Sequence, residues 1–462
     1  MLLTVDIGTT NFKSALWDYD GNRTCMALVK LSNKILETTK HETDPSGWLG
    51  AFEQCCKQFG ERSKNLKNVE AIVISGNGPT LVPVLGAPKI VNSSLFVDNF
   101  PARLWLDRRA EKYQELVSDV MNGYVDACFF LPKIIDIKNN ESELYRKTKY
   151  FIGCPEYLAY ALTGEACSVF PSDGFDRWFW NNSALEKLDL DAEKFPPFIR
   201  PGERFGFLGS EAAEHFGFTK NIPVVSGGPD FFAAILGSGV TKPGEVCNRT
   251  GSSDGINLCS EKPAQDSTLM SYGHPVKPFW NVSGVINTSG KAIEWGRKLL
   301  EIDCFDDFIE LAKGAKKGSG GLVFNPYLAG KRSKNSGSAA GASWSGITLE
   351  SGRQDFANSI LEGIALEIKD ILCMMKDSGA KADVIRVTGG LADCSFFNQI
   401  KADITGLEVL EGNYKEAELL GLAIIGSCFM GKYASWEEAS LALCKTKKRY
   451  KPGADAFYQF NC

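Results

Sequence analysis

VDIGTTNFKSALWDYDG, residues 5–21, reads as two strands around a polar loop, closed by a hairpin turn. The run Leu2-Leu3-Thr4-Val5 ends at Asp6, a tight Gly8-Thr9-Thr10 loop follows, and Phe12 to Trp17 alternates before Asp20-Gly21. Asp-Gly between alternating runs is a strong hairpin signal, because its turn needs residues that tolerate positive φ. The loop at 8–10 therefore joins antiparallel strands. It gathers backbone N–H groups, two hydroxyls, the Lys13 ammonium and the Asp6 carboxylate. Those are the parts that hold a polyphosphate and its magnesium. Taken alone, the stretch also reads as an ordinary hairpin with a polar turn.

Working outward, residues 1–31 read as a three-strand meander and 44–64 as a helix. Val69 to Ser75 is a β-branched strand ending in Asn77-Gly78-Pro79, and Leu81 to Val84 a further strand. Residues 106–122 and 133–163 are expected to be helical, the second stopping at Gly164, and 170–182 to be loop. Ile222 to Val225 is a short buried strand running into Ser226-Gly227-Gly228-Pro229-Asp230, with a helix from Phe231. Glu245 to Cys259 reads as strand, turn, strand around Gly251-Ser252-Ser253. This echo of the first hairpin is a weak internal repeat and argues for two similar α/β halves. Loops rich in Gly, Ser and Lys at 313–321 and 330–346 flank a strand at 322–327. A long helix follows at 353–377, a strand at 384–388 leads into Gly389-Gly390, and helices cover 394–405 and 416–430. Strands alternating with helices imply α/β layers.

A chain of 462 residues is long enough for about two to three domains. Its net charge of −5 disfavours broad nucleic-acid or anionic-membrane binding. The amino terminus lacks a signal-peptide pattern, and no apolar run approaches the ~18 residues of a membrane span. The fourteen cysteines are scattered without a Cys-x-x-Cys, which fits reduced thiols in a cytoplasmic protein. Three well-separated histidines, His41, His215 and His274, make a histidine zinc site a poor expectation.

Three further segments carry candidate chemistry. Asp230 follows a strand and two glycines at a helix start. It reads either as an N-cap or as a general base for a substrate hydroxyl, at the strand end where α/β sheets bind ligands. Gly251-Ser252-Ser253 gains weight from mirroring Gly8-Thr9-Thr10. Gly389-Gly390 reads as a plain turn or as a place where a flat base approaches the backbone. Gly426 to Lys432 has P-loop spacing, but Tyr433 stands where Ser or Thr is required and the preceding segment is helical, so it is excluded as a nucleotide site.

Together these segments resemble the FGGY carbohydrate kinases of the actin–hexokinase–heat-shock ATPase superfamily, over essentially the full chain. The resemblance rests on DIGTTNFK (6–13), LWLDRRA (104–110), ALTGE (161–165), SGGPDFFAA (226–234), TGSS (250–253), NPYLAGKR (325–332), and GGLADCSFFNQIKADITGLEV (389–409) with ELLGLA (418–423), all in family order. It implies two actin-like, ribonuclease-H-like domains flanking a cleft, 1–238 for the sugar and 239–462 mainly for ATP. It implies Asp230 as catalytic base and Asp6 as the residue holding hydrated Mg2+. Thr9, Thr10, Lys13, Gly251, Ser252 and Ser253 would contact phosphate, and Gly389 and Gly390 adenosine. Asn77, Gly78, Pro79 and Trp105 would border the sugar. The expected activity is ATP-dependent phosphorylation of a ketose such as xylulose or ribulose, or of a related polyol. The expected partner is that small molecule, with no nucleic acid and no membrane, and a homodimer stays open.

The sequence departs from the family at three places. Phe231 follows the candidate base where Gln or Asn is usual, Lys331 stands where Glu is usual, and Asn77-Gly78-Pro79-Thr80 replaces a common Gln-Met-His-Gly. They put the preferred sugar in question. They also motivate a rival reading, a nucleotide-responsive regulatory protein on the same scaffold. Retention of both Asp6 and Asp230 argues against it.

Overall fold

The computed structural model describes residues 1–32, 34–37, 39–62, 64–266, 269–330 and 341–453. The chain divides into two units. One comprises Met1–Ala233 with Glu418–Ala439, and the other Ala234–Ala417 with Ser440–Cys462.

The first unit is built on a six-stranded sheet. Its strands are β1 (Leu2–Ile7), β2 (Asn11–Trp17), β3 (Arg23–Lys30), β4 (Ala71–Gly76), β5 (Arg204–Phe207) and β6 (Pro223–Pro229), in the order β5-β6-β4-β1-β2-β3. β1 pairs antiparallel with β2 and parallel with β4, and β4 runs parallel to β6. β1 and β4 are buried along their whole length, as central strands covered on both faces are. Successive side chains point to opposite faces. Leu3, Val5 and Ile7 share a core with Trp48, Phe52 and Phe59 of the helix Ser46–Glu61 and with Tyr157 and Leu158 of the helix Cys154–Thr163. Leu2 and, on β4, Val73 instead meet the helix Ala417–Phe429, closely enough that a Cβ on Gly426 would stand 2.8 Å from Val73. Each large apolar side chain so buried contributes about 1.5–3 kcal/mol.

The second unit repeats the plan. Its strands are β7 (Glu245–Thr250), β8 (Asp254–Ser260), β9 (Met270–Gly273), β10 (Trp280–Ile286), β11 (Val384–Gly389), β12 (Glu408–Gly412) and β13 (Thr446–Tyr450), in the order β9-β10-β8-β7-β11-β12-β13. β7 pairs antiparallel with β8 and parallel with β11, as β1 does with β2 and β4. β12 then matches β6 and β13 matches β5. The internal repeat read from two hairpins is thus a repeat of six strands with the same neighbours and directions, and β9 is an addition.

Two expected helices differ. Residues 106–110 are loop, because the buried Asp107 carboxylate accepts from the His41 backbone N–H at 2.9 Å and from the Arg109 guanidinium at 2.7 and 3.0 Å. A 3-10 turn at Glu111–Tyr113 then leads into a helix of only Gln114–Val120. The span 133–163 is three helices, Phe130–Asn140, Ser142–Lys147 and Cys154–Thr163, interrupted by a strand, Tyr150–Ile152, that pairs with Val82–Val84. The stop at Gly164 holds, with φ +77°. The strand expected at 322–327 is shorter, Val323–Asn325, and pairs with Ser343–Ser345 inside the stretch expected to be loop. Lys331 lies outside the described residues.

Candidate functional site

In the first unit, parallel pairing aligns Ile7 with Gly76 and Gly76 with Pro229. The segments leaving β1, β4 and β6 therefore emerge side by side at the carboxyl ends of three neighbouring strands. They carry Gly8-Thr9-Thr10, Asn77-Gly78-Pro79 and Asp230.

Asp6 is 3% exposed. Its Oδ1 accepts from the Ser75 hydroxyl at 3.1 Å, and its Oδ2 lies 3.9 Å from Lys13 Nζ. Lys13 also forms an ion pair with Glu418, a mostly buried carboxylate in the first turn of the helix Ala417–Phe429. Burial pushes the Asp6 carboxyl up to about 7; Lys13 opposes this, Glu418 and Asp230 reinforce it, and the Ser75 hydroxyl opposes it. Three carboxyl groups, Asp6, Glu418 and Asp230, thus face a single lysine, an arrangement a cation relieves. Among the described residues no three His, Cys, Asp or Glu side chains converge as a metal cage. Magnesium does not need one, since it takes one or two carboxylates together with phosphate oxygens and water. The donor chemistry at Asp6 fits it.

Asp230 opens a helix, Asp230–Gly237, and its Oδ1 accepts from the Phe231 N–H at 2.6 Å. The carboxylate is only part-buried. Phe231 stacks on the buried Phe175 ring at 6.1 Å, so an aromatic wall adjoins Asp230. The Gly227-Gly228 pair before it follows from packing, since a Cβ at Gly227 would meet Leu422 at 2.0 Å and Gly228 has φ +74°.

The Asn77 and Trp105 segments are fastened to this cluster. Asn77 is buried, its amide donating to the Ile7 carbonyl at 2.8 Å and its Oδ1 accepting from Thr80 at 2.5 Å. Thr80 Oγ1 in turn accepts from the Trp105 N–H at 3.2 Å, and the Trp105 indole donates to Thr9 Oγ1 at 2.9 Å. Trp105 thus touches the first phosphate-type loop directly. A Cβ on Gly78 would meet nothing within 4 Å.

In the second unit, Thr250 joins two candidate segments. Its Oγ1 donates to the Thr388 carbonyl at 2.8 Å and accepts from Leu391 N–H at 3.1 Å, while its carbonyl accepts from Gly390 N–H at 2.9 Å. Gly389 has φ +91°, and a Cβ there would lie 2.0 Å from the Thr250 carbonyl oxygen, so no other residue fits. Gly251-Ser252-Ser253 and Gly389-Gly390 are thereby adjacent. Ser252 and Gly251 carbonyls also accept from Ser289 and Gly290 at the start of the helix Gly290–Leu299. Behind the loop, the buried Lys401 donates to Asn248 at 2.7 Å, and Asn248 donates to the Asp254 carboxylate at 3.0 Å. At the place of Asp6 this second hairpin carries Arg249.

Glu418, Thr80 and Lys401 lie within quoted motifs but the motifs assign them no role, and no motif contains Ser75 or Ser289. The one available signal is a charge set in an apolar run, as at Glu418 before Leu419-Leu420.

The fold agrees with solved sugar-kinase structures. A ligand-bound xylulose kinase from Lactobacillus acidophilus superposes with a TM-score of 0.85 at 20% identity, covering 99% of this chain and 96% of that one. The architecture is that of two actin-like ATPase domains. The chain matches the FGGY family of carbohydrate kinases over residues 1–237 for the N-terminal domain and 246–430 for the C-terminal domain, and it belongs to that family. Among curated relatives, the xylulose kinase of Escherichia coli strain K12 is 26% identical, covering 96% of this chain and 91% of that protein. The gluconokinase of Bacillus subtilis strain 168 is 24% identical, with 99% and 93% covered. The protein is an ATP-dependent carbohydrate kinase, a phosphotransferase acting on a small-molecule sugar. The rival regulatory reading gains no support from these relatives. Among the described residues no helix is long and apolar enough to cross a membrane.

Proposed function

We propose that the chain transfers the γ-phosphoryl group of Mg2+-ATP to a hydroxyl of a ketose or related polyol, with Asp230 as general base, and that it does so in the cytoplasm, where ATP is the donor. The observation that carries this reading is the convergence of Asp6, Thr9, Asn77 and Asp230 at the carboxyl ends of adjacent parallel strands, with Trp105 bonded into the same cluster. Phosphoryl transfer needs little covalent help. It needs positioning, a base on the attacking hydroxyl and stabilisation of charge on the phosphoryl oxygens. The Asp230 carboxylate accepts the hydroxyl proton. Asp6 would hold the hydrated metal, whose charge, when bound, would offset phosphate charge. Thr9, Thr10, Lys13 and the Gly251-Ser252-Ser253 loop supply donors to phosphate. Lys13 exchanges part of its pairing with Glu418 for phosphate oxygen as ATP enters. Gly389 and Gly390 receive the adenosine. A coupled ADP-release assay over ketoses and polyols tests the whole reading: no sugar-dependent ADP release from any of them would end it.

The identity of the sugar turns on residues 77–80. The open space at Gly78 and the missing donor at Pro79 support a pocket that is roomier there and lacks one hydrogen-bonding group. A site without a donor does not reward the hydroxyl that the donor would read. Xylulose is therefore expected to be a weak substrate, and another ketose or polyol a better one. Steady-state kinetics across the panel check this, and efficient, selective xylulose phosphorylation would contradict it.

Trp105 is expected to pack on the carbon face of the sugar. Trp105→Ala should raise the Michaelis constant for sugar by about tenfold or more and that for ATP far less, since it removes an apolar face and not a phosphate donor. A larger effect on ATP would remove Trp105 from the sugar pocket and leave it as a support for Thr9.

A further inference from the structure

The helix Phe130–Asn140 carries a lysine in an unusual setting. Lys133 is 0% exposed, with Leu131, Pro132, Ile134 and Ile135 buried beside it. Its Nζ donates to three backbone carbonyls: Pro79 at 2.8 Å, Leu104 at 2.7 Å and Arg103 at 3.4 Å. Among the described residues no carboxylate bonds it. Burial lowers its ammonium to about 8; among charges around it, Cys128, Asp107 and Asp126 oppose this and Arg103 reinforces it. A buried ammonium without an ionic partner is costly. What it gains is full use of its three donors, although the Arg103 and Leu104 carbonyls also accept from the backbone N–H groups of Leu81 and Asp107.

Those carbonyls belong to two segments. Pro79 closes Asn77-Gly78-Pro79, and Leu104 precedes Trp105. A short bridge already joins the segments, with Leu81 and Arg103 exchanging backbone hydrogen bonds at 2.9 Å. Lys133 grips them just beyond it, on the side toward Gly78 and Trp105. The same helix also holds the Arg103 side chain, through Asp136 at 2.7 Å. Asp230 lies on neither segment.

We propose that Lys133 is a positioning residue that fixes the spacing between the Asn77–Pro79 and Trp105 segments and thereby sets the affinity for sugar. This rests on the reading that both segments border the sugar. A shift of that wall loosens the packing and hydrogen bonds that hold a bound sugar, while leaving the base in place. Lys133 itself bonds neither the phosphate loops nor Asp230; the first phosphate loop meets the gripped segments only through the Trp105–Thr9 and Asn77–Ile7 hydrogen bonds, so the loss falls chiefly on sugar binding.

Lys133→Met keeps the length and removes every donor. It is expected to raise the Michaelis constant for sugar by about tenfold or more, with that for ATP and kcat each within about threefold of wild type. An unchanged sugar constant, or equal rises for sugar and ATP, would overturn the proposal. Should the Met variant fail to fold, Lys133→Gln, which retains two donors, is measured by the same criteria. If neither variant folds, Lys133 is a core residue and the proposal fails. Trp105→Ala, measured in parallel, separates the two ideas. If Trp105→Ala spares sugar binding, the reading of the wall itself is wrong. If it impairs sugar binding and the Lys133 variants do not, only the role of Lys133 is wrong.

Discussion

Asp230→Asn is expected to abolish sugar-dependent ATP consumption while ATP still binds. The amide keeps the shape of the carboxylate and still accepts from the Phe231 N–H, so the helix start at Asp230 is retained. What it cannot do is take a proton from a substrate hydroxyl. Removal of a positioned base costs on the order of 10²–10⁴ in rate. The capping reading and the base reading of this residue predict different things. As a cap alone, Asp and Asn are nearly interchangeable, and the variant would turn over within a few-fold of wild type. Single-turnover kinetics with purified variant, together with equilibrium ATP binding, decide between them.

Asp6→Ala is expected to damage both magnesium-dependent nucleotide binding and turnover, by about tenfold or more in each, because the metal loses the group that orients it. Titrating activity against magnesium at fixed ATP checks this. Unchanged magnesium dependence would make Asp6 structural. Stability separates the two roles further. The Asp6 carboxyl is raised from 3.8 to about 7 in the folded protein, chiefly by burial. The folded state thus holds its proton over a range where the unfolded chain has lost it, and the Asp6 contribution to stability falls as pH rises from about 4 to about 7. Without magnesium at neutral pH, Asp6→Ala should therefore melt no lower than wild type. A large drop in Tm would show that the carboxylate holds the fold through Ser75 and Lys13.

The parts of the fold legible in the sequence are those where local pattern and tertiary role agree. The 5–21 hairpin combines strict alternation with Asp20-Gly21, and the 353–377 helix has a long uninterrupted period. The second hairpin is legible by its likeness to the first. Reading fails where a tertiary partner overrides local preference. Residues 106–110 look helical until Asp107 is seen to bind Arg109 and, far back in the chain, His41. Tyr150-Phe151-Ile152 sits in a helical context and becomes a strand because Val82–Val84 offers it an edge. The candidate residues gathered around Asp6 and Thr250 are visible as motifs. Lys133 is not, and Glu418 is visible only as the first residue of ELLGLA with no role, because a single charge beside apolar residues does not say which carbonyl or ion it will meet.

From Glu418 on, the helix Ala417–Phe429 belongs to the first unit, although all but one of the strands in the second unit's seven-stranded sheet precede it in the chain. It covers Leu2 and Val73, and its Gly421 comes so near the Ala233 carbonyl that a Cβ would stand 1.9 Å away. During synthesis, then, the unit that leaves the ribosome first is completed only after most of the second has been made. Its sheet must wait, one face bare, until nearly everything else has been made. Cutting the gene after residue 238 would give a fragment frozen at that stage, with exposed apolar strands that invite aggregation. Supplying residues 418–439 in trans, or joining them to the fragment by a linker, is the way to obtain it as a folded body.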